Sequence, residues 1–461
     1  MTDQQRFDTI NALGAGFMQT PTLDRLVKGG VTFNQCYCAA PSCVPSRASF
    51  FNLKYPHETG VFHNACQWDT SWVTHLQKAG YHTVNIGKMH TVPMDAPCGF
   101  DQRFVVENKD RPLRLNRPHG NFYDEWDKFL NNSNIRKPSR QTYRNEYPGY
   151  EDALGAYEWP LDERYHPDVF VGDMARWFIE QRQDTSPLMM VVGFPGPHPP
   201  YDPPQRHLNC YDDTDIPIPC VSQAEVDAQP TAHHVYRQQM IENNHDGVRW
   251  QHKPTDVQLL RLRKYYAANV TLIDEQIGHV MQALDKRGYL EDAIVIFTSD
   301  HGDCLGDHGH IQKWTMYDCV TRTPVIVHAP GRLPSNQSCN ALLQQMDVVP
   351  MLFSLAGVPL PGGHSAIDAL PVVSEDSPGR EYVFAEHTAD NVFTGASYMA
   401  MVRNEHWKLV QYQDSDQGEL YDLTNDPGEL VNVWLQPTFE AVKEHLISVL
   451  NAWYQHVSIN H

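Results

Sequence analysis

The chain has 461 residues, with 41% hydrophobic, 20% charged and 11% aromatic residues. That composition excludes a fibre, a wholly disordered chain and a disulfide-stapled miniprotein. Lys+Arg 36 against Asp+Glu 56 leaves a net charge of −20, which argues against nucleic-acid or anionic-membrane partners, since both need a basic face.

In chain order, residues 22–29 (TLDRLVKG) read as a short helix ended by a glycine pair, and 30–39 as a strand. Residues 71–80 predict a helix and 81–86 a strand. Residues 167–183 predict a helix with Trp177, Phe178 and Ile179 on its apolar side. The run at 188–194 (LMMVVGF) is continuously apolar, the mark of a strand buried on both faces. A long helix follows at 257–287, then apolar strands at 293–298 and 324–328, then a helix over 340–356. Helices alternating with apolar strands predict an α/β fold with a large, mostly parallel or mixed sheet flanked by helices. Segments 101–165 and 202–255 lack clear periodicity and read as loops over the active face.

Around 357–379 the composition shifts to Pro, Gly and Ser, a boundary signal. Beyond it come short strands at 382–384, 398–402 and 407–411, a turn at 425–428 and a helix over 437–454. The reading is therefore a catalytic α/β domain at 1–370 and a small α+β domain of sheet plus helix at 371–461. There is no run of about 18 apolar residues, so no membrane-spanning helix is expected. The polar start lacks a signal-peptide core and reads cytoplasmic; a clipped start would leave periplasmic or secreted location open.

In open parallel sheets, ligands bind beyond the carboxyl ends of the strands. Four strand ends here carry polar, reactive residues: Cys43 and Arg47, Lys88 and His90, His198, and Asp300 with His301. Asp300 suits a hard divalent cation with His301 as a nitrogen ligand beside it, and Asp3 and Gln4 form a second oxygen pair. Arg47, Lys88 and Lys313 are cations able to neutralise a tetrahedral oxyanion. His90 and His198 are acid–base candidates. The ten cysteines include no CxxC pair, so a zinc ribbon is not expected. His119, Tyr123, Trp126, Trp159, His166, His233 and His234 are candidates for lining a sugar pocket, or are ordinary loop residues.

The C-V-P-S-R run at 43–47 resembles the C-x-P-S-R signature of type I sulfatases. TPTLDRL at 21–27, GKMH at 87–90, GPHPPY at 196–201, SDHGD at 299–303 and QKWTMYD at 312–318 agree with it in order. The resemblance implies the alkaline phosphatase superfamily fold and hydrolysis of a sulfate ester of a carbohydrate or an aryl or alkyl alcohol. It implies that Cys43 is oxidised to formylglycine by a maturation enzyme, and that the hydrated aldehyde is the nucleophile. Asp3, Gln4, Asp300 and His301, together with the modified Cys43, would hold a divalent metal, with Ca2+ expected and Mg2+ or Mn2+ as alternatives. Arg47 and Lys88 would support the nucleophile, and Lys88 and Lys313 would contact sulfate. His90 would act as base, and His198 would bind sulfate or protonate the leaving alcohol.

Three departures matter. The family's opening strand is absent, so Asp3 is expected at a frayed terminus. Asn52-Leu53-Lys54 replaces a Thr-Gly-Arg that aids maturation. The Asp-Gln and Asp-His pairs also resemble phosphonate monoester hydrolases and choline-sulfatase-like members. A phosphonate or phosphate monoester hydrolase, or a non-catalytic relative, are the competing readings.

Overall fold

A computed structural model describes residues 1–107, 123–374, 377–413 and 415–458. The first strands are β1 (Val31–Tyr37), β2 (His82–Gly87), β3 (Gln102–Val105) and β4 (Leu188–Gly193). They are followed by β5 (Val295–Thr298), β6 (Val325–His328) and β7 (Gln337–Gln344). One sheet has the order β3-β2-β4 and is parallel throughout. The other runs β5-β6-β1-β7; β6 is antiparallel to both neighbours and β1 is parallel to β7. The architecture is therefore mixed rather than mostly parallel.

Residues 1–3 join the two sheets. Thr2 bridges Ser299 beyond β5 and Asp3 bridges Pro197 beyond β4, both in parallel. Asp3 is fully buried, and its backbone N–H donates to the Gly196 carbonyl at 3.0 Å. The expected frayed terminus is thus corrected: pairing on both sides fixes these residues. Behind Met1 lies an apolar cleft of about 540 Å³, bordered by Met190 and Val192 of β4 and by Ile294 and Ile296 of the β5 side. Most of β4 is half-buried beside this cleft, where its apolar run predicted burial on both faces.

The helices take their places by capping and apolar patterning. Helix α1 (Pro21–Gly29) has Pro at its first position, where the missing N–H costs nothing. Helix α2 (Cys43–Asn52) follows β1 and is buried from Cys43 to Phe51. It ends at Leu53, whose φ of 59° is the left-handed cap that glycine usually supplies. Helices α3 (Val73–Lys78), α4 (Pro167–Gln181) and α5 (Asp256–Lys286) come next. In α5 the Thr255 hydroxyl accepts from the Gln258 N–H while the Gln258 side chain accepts from the Thr255 N–H, satisfying two orphan donors. Ala175, Phe178 and Ile179 of α4 and Val280 and Ala283 of α5 cover Val84 and Ile86 of β2. Trp177 was expected in this apolar face but is 51% exposed.

The helix predicted over 340–356 is corrected. Residues 337–344 form β7, which pairs with β1 from Val31↔Gln337 to Tyr37↔Gln344, and only α6 (Val348–Ala356) is α-helical. The mostly apolar ALL-Q pattern fits either period, and tertiary pairing decides. The two segments read as loops also hold β3 and helices at Glu125–Asn132 and Thr231–Glu242. Strands β8 (Val383–Thr388), β9 (Tyr398–Arg403), β10 (Trp407–Tyr412) and β11 (Gly418–Asp422) make an antiparallel sheet, ordered β11-β10-β9-β8, with α7 (Glu440–Ser458) against it. Leu409, Leu420, Leu446 and Leu450 share one apolar cluster with Val31 and Phe33 of β1. No described helix is long and apolar enough to cross a membrane.

Candidate active site

The polar residues named from the strand ends converge. Cys43 begins α2 just past β1, Lys88 and His90 follow β2, His198 follows β4, and Asp300 and His301 follow β5. The β2 and β4 ends are pressed together: a Cβ on Gly193 would lie 1.9 Å from the Lys88 carbonyl, so only glycine lets the Lys88 backbone sit there. Every one of these side chains is buried, the most open being His198 at 8%.

Cys43 Sγ lies 2.9 Å from Lys313 Nζ, 3.3 Å from His301 Nε2 and 3.7 Å from Asp3 Oδ1. Lys313 also donates to Gln4 Oε1 at 2.9 Å. Arg47 reaches Asp300 through Nε at 2.8 Å and Asp3 through Nη2 at 3.3 Å. Lys88 pairs with the same Asp3 carboxylate. Ligand atoms of Asp3, Cys43, Asp300 and His301 all lie within 4.8 Å of one another. Two carboxylates and an imidazole, with the Gln4 amide adjoining them, form a donor set that fits a hard divalent cation. The position of Cys43 Sγ, between a lysine, a histidine and a carboxylate, also fits an oxygen-bearing side chain formed from that cysteine.

The electrostatics follow from crowding in a dry site. Burial alone would raise Asp3, but Lys88, His198, Arg47 and Lys313 hold it well below the usual carboxylate range. Burial would lower Lys313, yet Cys43, Asp3 and Asp246 hold it above the ordinary lysine value. Burial and Lys313 push His198 down. His301 is raised against burial by Asp300 and Cys43.

Some residues that shape the site carried no assigned role in the sequence reading. Asp303 lies within SDHGD and is fully buried. Its Oδ2 accepts from Gln4 Nε2 at 2.6 Å and from Tyr201 at 2.7 Å, and its Oδ1 accepts from the Gln312 N–H at 2.9 Å. It thus ties the first metal pair to the Lys313 segment. Glu107 accepts the His90 N–H at 3.0 Å, and Trp68 donates to the His90 carbonyl at 2.8 Å. Both contacts hold the left-handed His90 backbone, φ 62°. No spacing rule points to them, because each acts through a neighbour in space.

The expected sugar-pocket residues mostly serve elsewhere. Trp126 and Trp159 are buried in a core cluster with Phe170 and Phe194. His166 Nδ1 accepts the Asp168 N–H at 3.2 Å and so caps α4. His233 is buried between His310 and Tyr412, 3.1 and 2.8 Å away. Tyr123 and His234 are exposed, and His119 lies outside the described residues.

Comparison with known proteins bears on this geometry. A family model described as Sulfatase matches residues 1–358, and one described as N-sulphoglucosamine sulphohydrolase, C-terminal, matches residues 306–456. An arylsulfatase of Clostridium perfringens is 26% identical over 98% of this chain and 92% of its own length. An N-acetylglucosamine-6-O-sulfatase of Bacteroides thetaiotaomicron is 25% identical over 98% of this chain and 84% of its own. The crystal structure of a phosphonate monoester hydrolase of Agrobacterium radiobacter superposes with a TM-score of 0.80 at 22% identity, covering 99% of this chain and 94% of that one.

Proposed function

We propose that this chain, which belongs to the sulfatase family, is a metal-dependent hydrolase of sulfate esters, acting on a sulfated carbohydrate or small molecule. The observation that carries the reading is the surround of Cys43. Lys313, His301 and Asp3 meet at its Sγ, inside a buried cluster that also holds Arg47, Lys88, Gln4 and Asp300. The sulfatase relatives support the substrate class.

In this reading Asp3, Gln4, Asp300 and His301 hold a divalent ion, with Ca2+ expected. The ion supplies Lewis-acid charge, and formylglycine made from Cys43 supplies an oxygen nucleophile. The chain's own residues do the rest. Arg47 pairs with both Asp3 and Asp300 and holds the two carboxylates in place. Lys88 and Lys313 bind the sulfate oxygens and offset charge that grows at them. His90 accepts the proton of the nucleophile. His198 binds the sulfate or protonates the leaving alcohol. With a body charge of −20, attraction of an anionic ester falls to this local cluster.

A panel of p-nitrophenyl sulfate, p-nitrophenyl phosphate and a phenylphosphonate ester, given to protein co-expressed with a maturation enzyme, tests this. Sulfate turnover should dominate; phosphonate turnover higher by orders of magnitude would replace the reading with the phosphonate hydrolase one. Cys43→Ala should abolish turnover while Cys66→Ala retains it, and intact mass of the Cys43 peptide should show the aldehyde. A bare thiol with no turnover would favour a non-catalytic relative. Dialysis against a chelator should remove activity, and adding Ca2+, Mg2+ or Mn2+ back singly identifies the ion.

A further inference from the structure

Trp314 directly follows Lys313 and is 1% exposed. In a regular helix or strand, neighbouring side chains do not face each other. Here the Lys313 ammonium lies over the Trp314 ring, 5.1 Å from its centroid. That is within reach of the attraction between a cation and the negative face of an aromatic ring. The backbone around this pair is unusual. Gln312 and Trp314, on either side of Lys313, have φ of 62° and 68°. Left-handed residues other than glycine cost free energy and persist where the surroundings over-determine them. The Gln312 N–H donates to Asp303 Oδ1 at 2.9 Å, and the Trp314 N–H donates to the carbonyl of Pro41, just ahead of Cys43, at 3.1 Å.

An ammonium has three N–H donors. Lys313 directs two of them to Cys43 Sγ and Gln4 Oε1, each at 2.9 Å. The ring attracts the charge as a whole, so the third donor is left for an arriving oxygen. The lysine stem is flexible, and a ring face beside the ammonium narrows its freedom.

The ring is itself held. Its Nε1 donates to Asp390 Oδ2 at 3.3 Å, and the His245 ring packs edge-on against it, 5.2 Å away. Asp390 lies between β8 and β9, where its Oδ1 accepts the N–H groups of Val392 and Phe393, both at 2.7 Å. The small sheet thus reaches the site through one carboxylate and one indole.

We propose that Trp314, oriented by Asp390, is the positioning residue for the Lys313 ammonium, so that the C-terminal sheet completes the anion-binding side of the site. This rests on the reading that Lys313 contacts the sulfate.

Fluorinated tryptophans placed at position 314 alone test this, because fluorine drains negative charge from the ring face and changes its volume little. With p-nitrophenyl sulfate and protein co-expressed with a maturation enzyme, kcat/KM should fall stepwise with each added fluorine, by about fivefold in the tetrafluoro form. Thermal melts should stay level along the series, since the ring keeps its shape. In a Lys313→Met background the series should be flat, because the ring acts through that ammonium. Asp390→Asn should lower kcat/KM about threefold in the parent. Beside Trp314→Phe, which keeps a ring face and lacks the Nε1–H, it should add almost nothing. A flat series in the parent, a fall that tracks the melting temperature, or an equal fall in Lys313→Met would overturn the proposal. Additive losses for Asp390→Asn and Trp314→Phe would overturn the part given to Asp390. A parent protein that does not cleave the ester defeats the sulfatase reading itself, and an active parent with a flat series defeats only this proposal.

Discussion

Lys408 and Lys313 are both buried lysines, 0% and 1% exposed, but their surroundings differ. Lys408 lies on β10, where that strand meets the 316–318 segment. Its ammonium sits 2.5 Å from Asp318 Oδ1, 2.5 Å from Glu429 Oε1 and 3.0 Å from the Met316 carbonyl. It hydrogen-bonds to Asp318 and to the Met316 carbonyl and is ion-paired with Glu429. Two cations, Lys408 and Arg403, face two carboxylates there. Around Cys43, three cations, Arg47, Lys88 and Lys313, face the carboxylates of Asp3 and Asp300. One cluster is closed and balanced and serves to hold two parts of the chain together. The other carries surplus positive charge, which suits it to an anion that arrives from outside.

The largest expected effect sets these lysines against each other. Lys313→Met should lower sulfatase turnover by roughly 10²–10³-fold, as removal of a preorganised charge donor does. Its stability cost should be smaller than that of Lys408→Met, because Arg47 and Lys88 still pair with the Asp3 and Asp300 carboxylates. Lys408→Met strands Asp318 and Glu429 without their shared cation, so denaturant melts should show a loss of about 3–5 kcal/mol. Turnover per folded molecule of that variant should stay within about threefold of the parent. Equal stability losses in the two variants would break the comparison.

A smaller effect sharpens it by pH. Burial would raise the Glu419 carboxyl, but His233, Tyr412 and Tyr421 hold it at about 2. Its folded value lies below its ordinary 4.5, so the unfolded chain takes up the proton first as pH falls. The stability it confers is complete above pH 4.5 and is lost as pH falls toward 2. Glu419→Gln should flatten stability against pH over that window, by at most about 3 kcal/mol. An unchanged slope in denaturant melts at the two ends of the window would remove Glu419 from the acid response.

Elements with a strong local signal were legible. The long helix was read at 257–287 and spans Asp256–Lys286, because a capping box and a 3.6-residue period agree. The strand read at 30–39 spans Val31–Tyr37. Misreading arose where tertiary pairing decides, as at β7, whose residues suit a helix until β1 is beside them. The same division runs through the site. Cys43, Lys88, His198, Asp300 and His301 were found because each follows a strand. Asp303 shapes the site through Gln4 and the Gln312 backbone, and nothing in its spacing reports those contacts.

The burial of Cys43 has a consequence in time. Its sulfur is covered by His301 and Lys313, which are made 258 and 270 residues later. At ribosomal rates of ~5–20 residues per second, the thiol precedes its cover by roughly ten seconds to a minute. The Cys43 thiol stays unshielded for that interval, and the arrival of β5 and the Lys313 segment closes it.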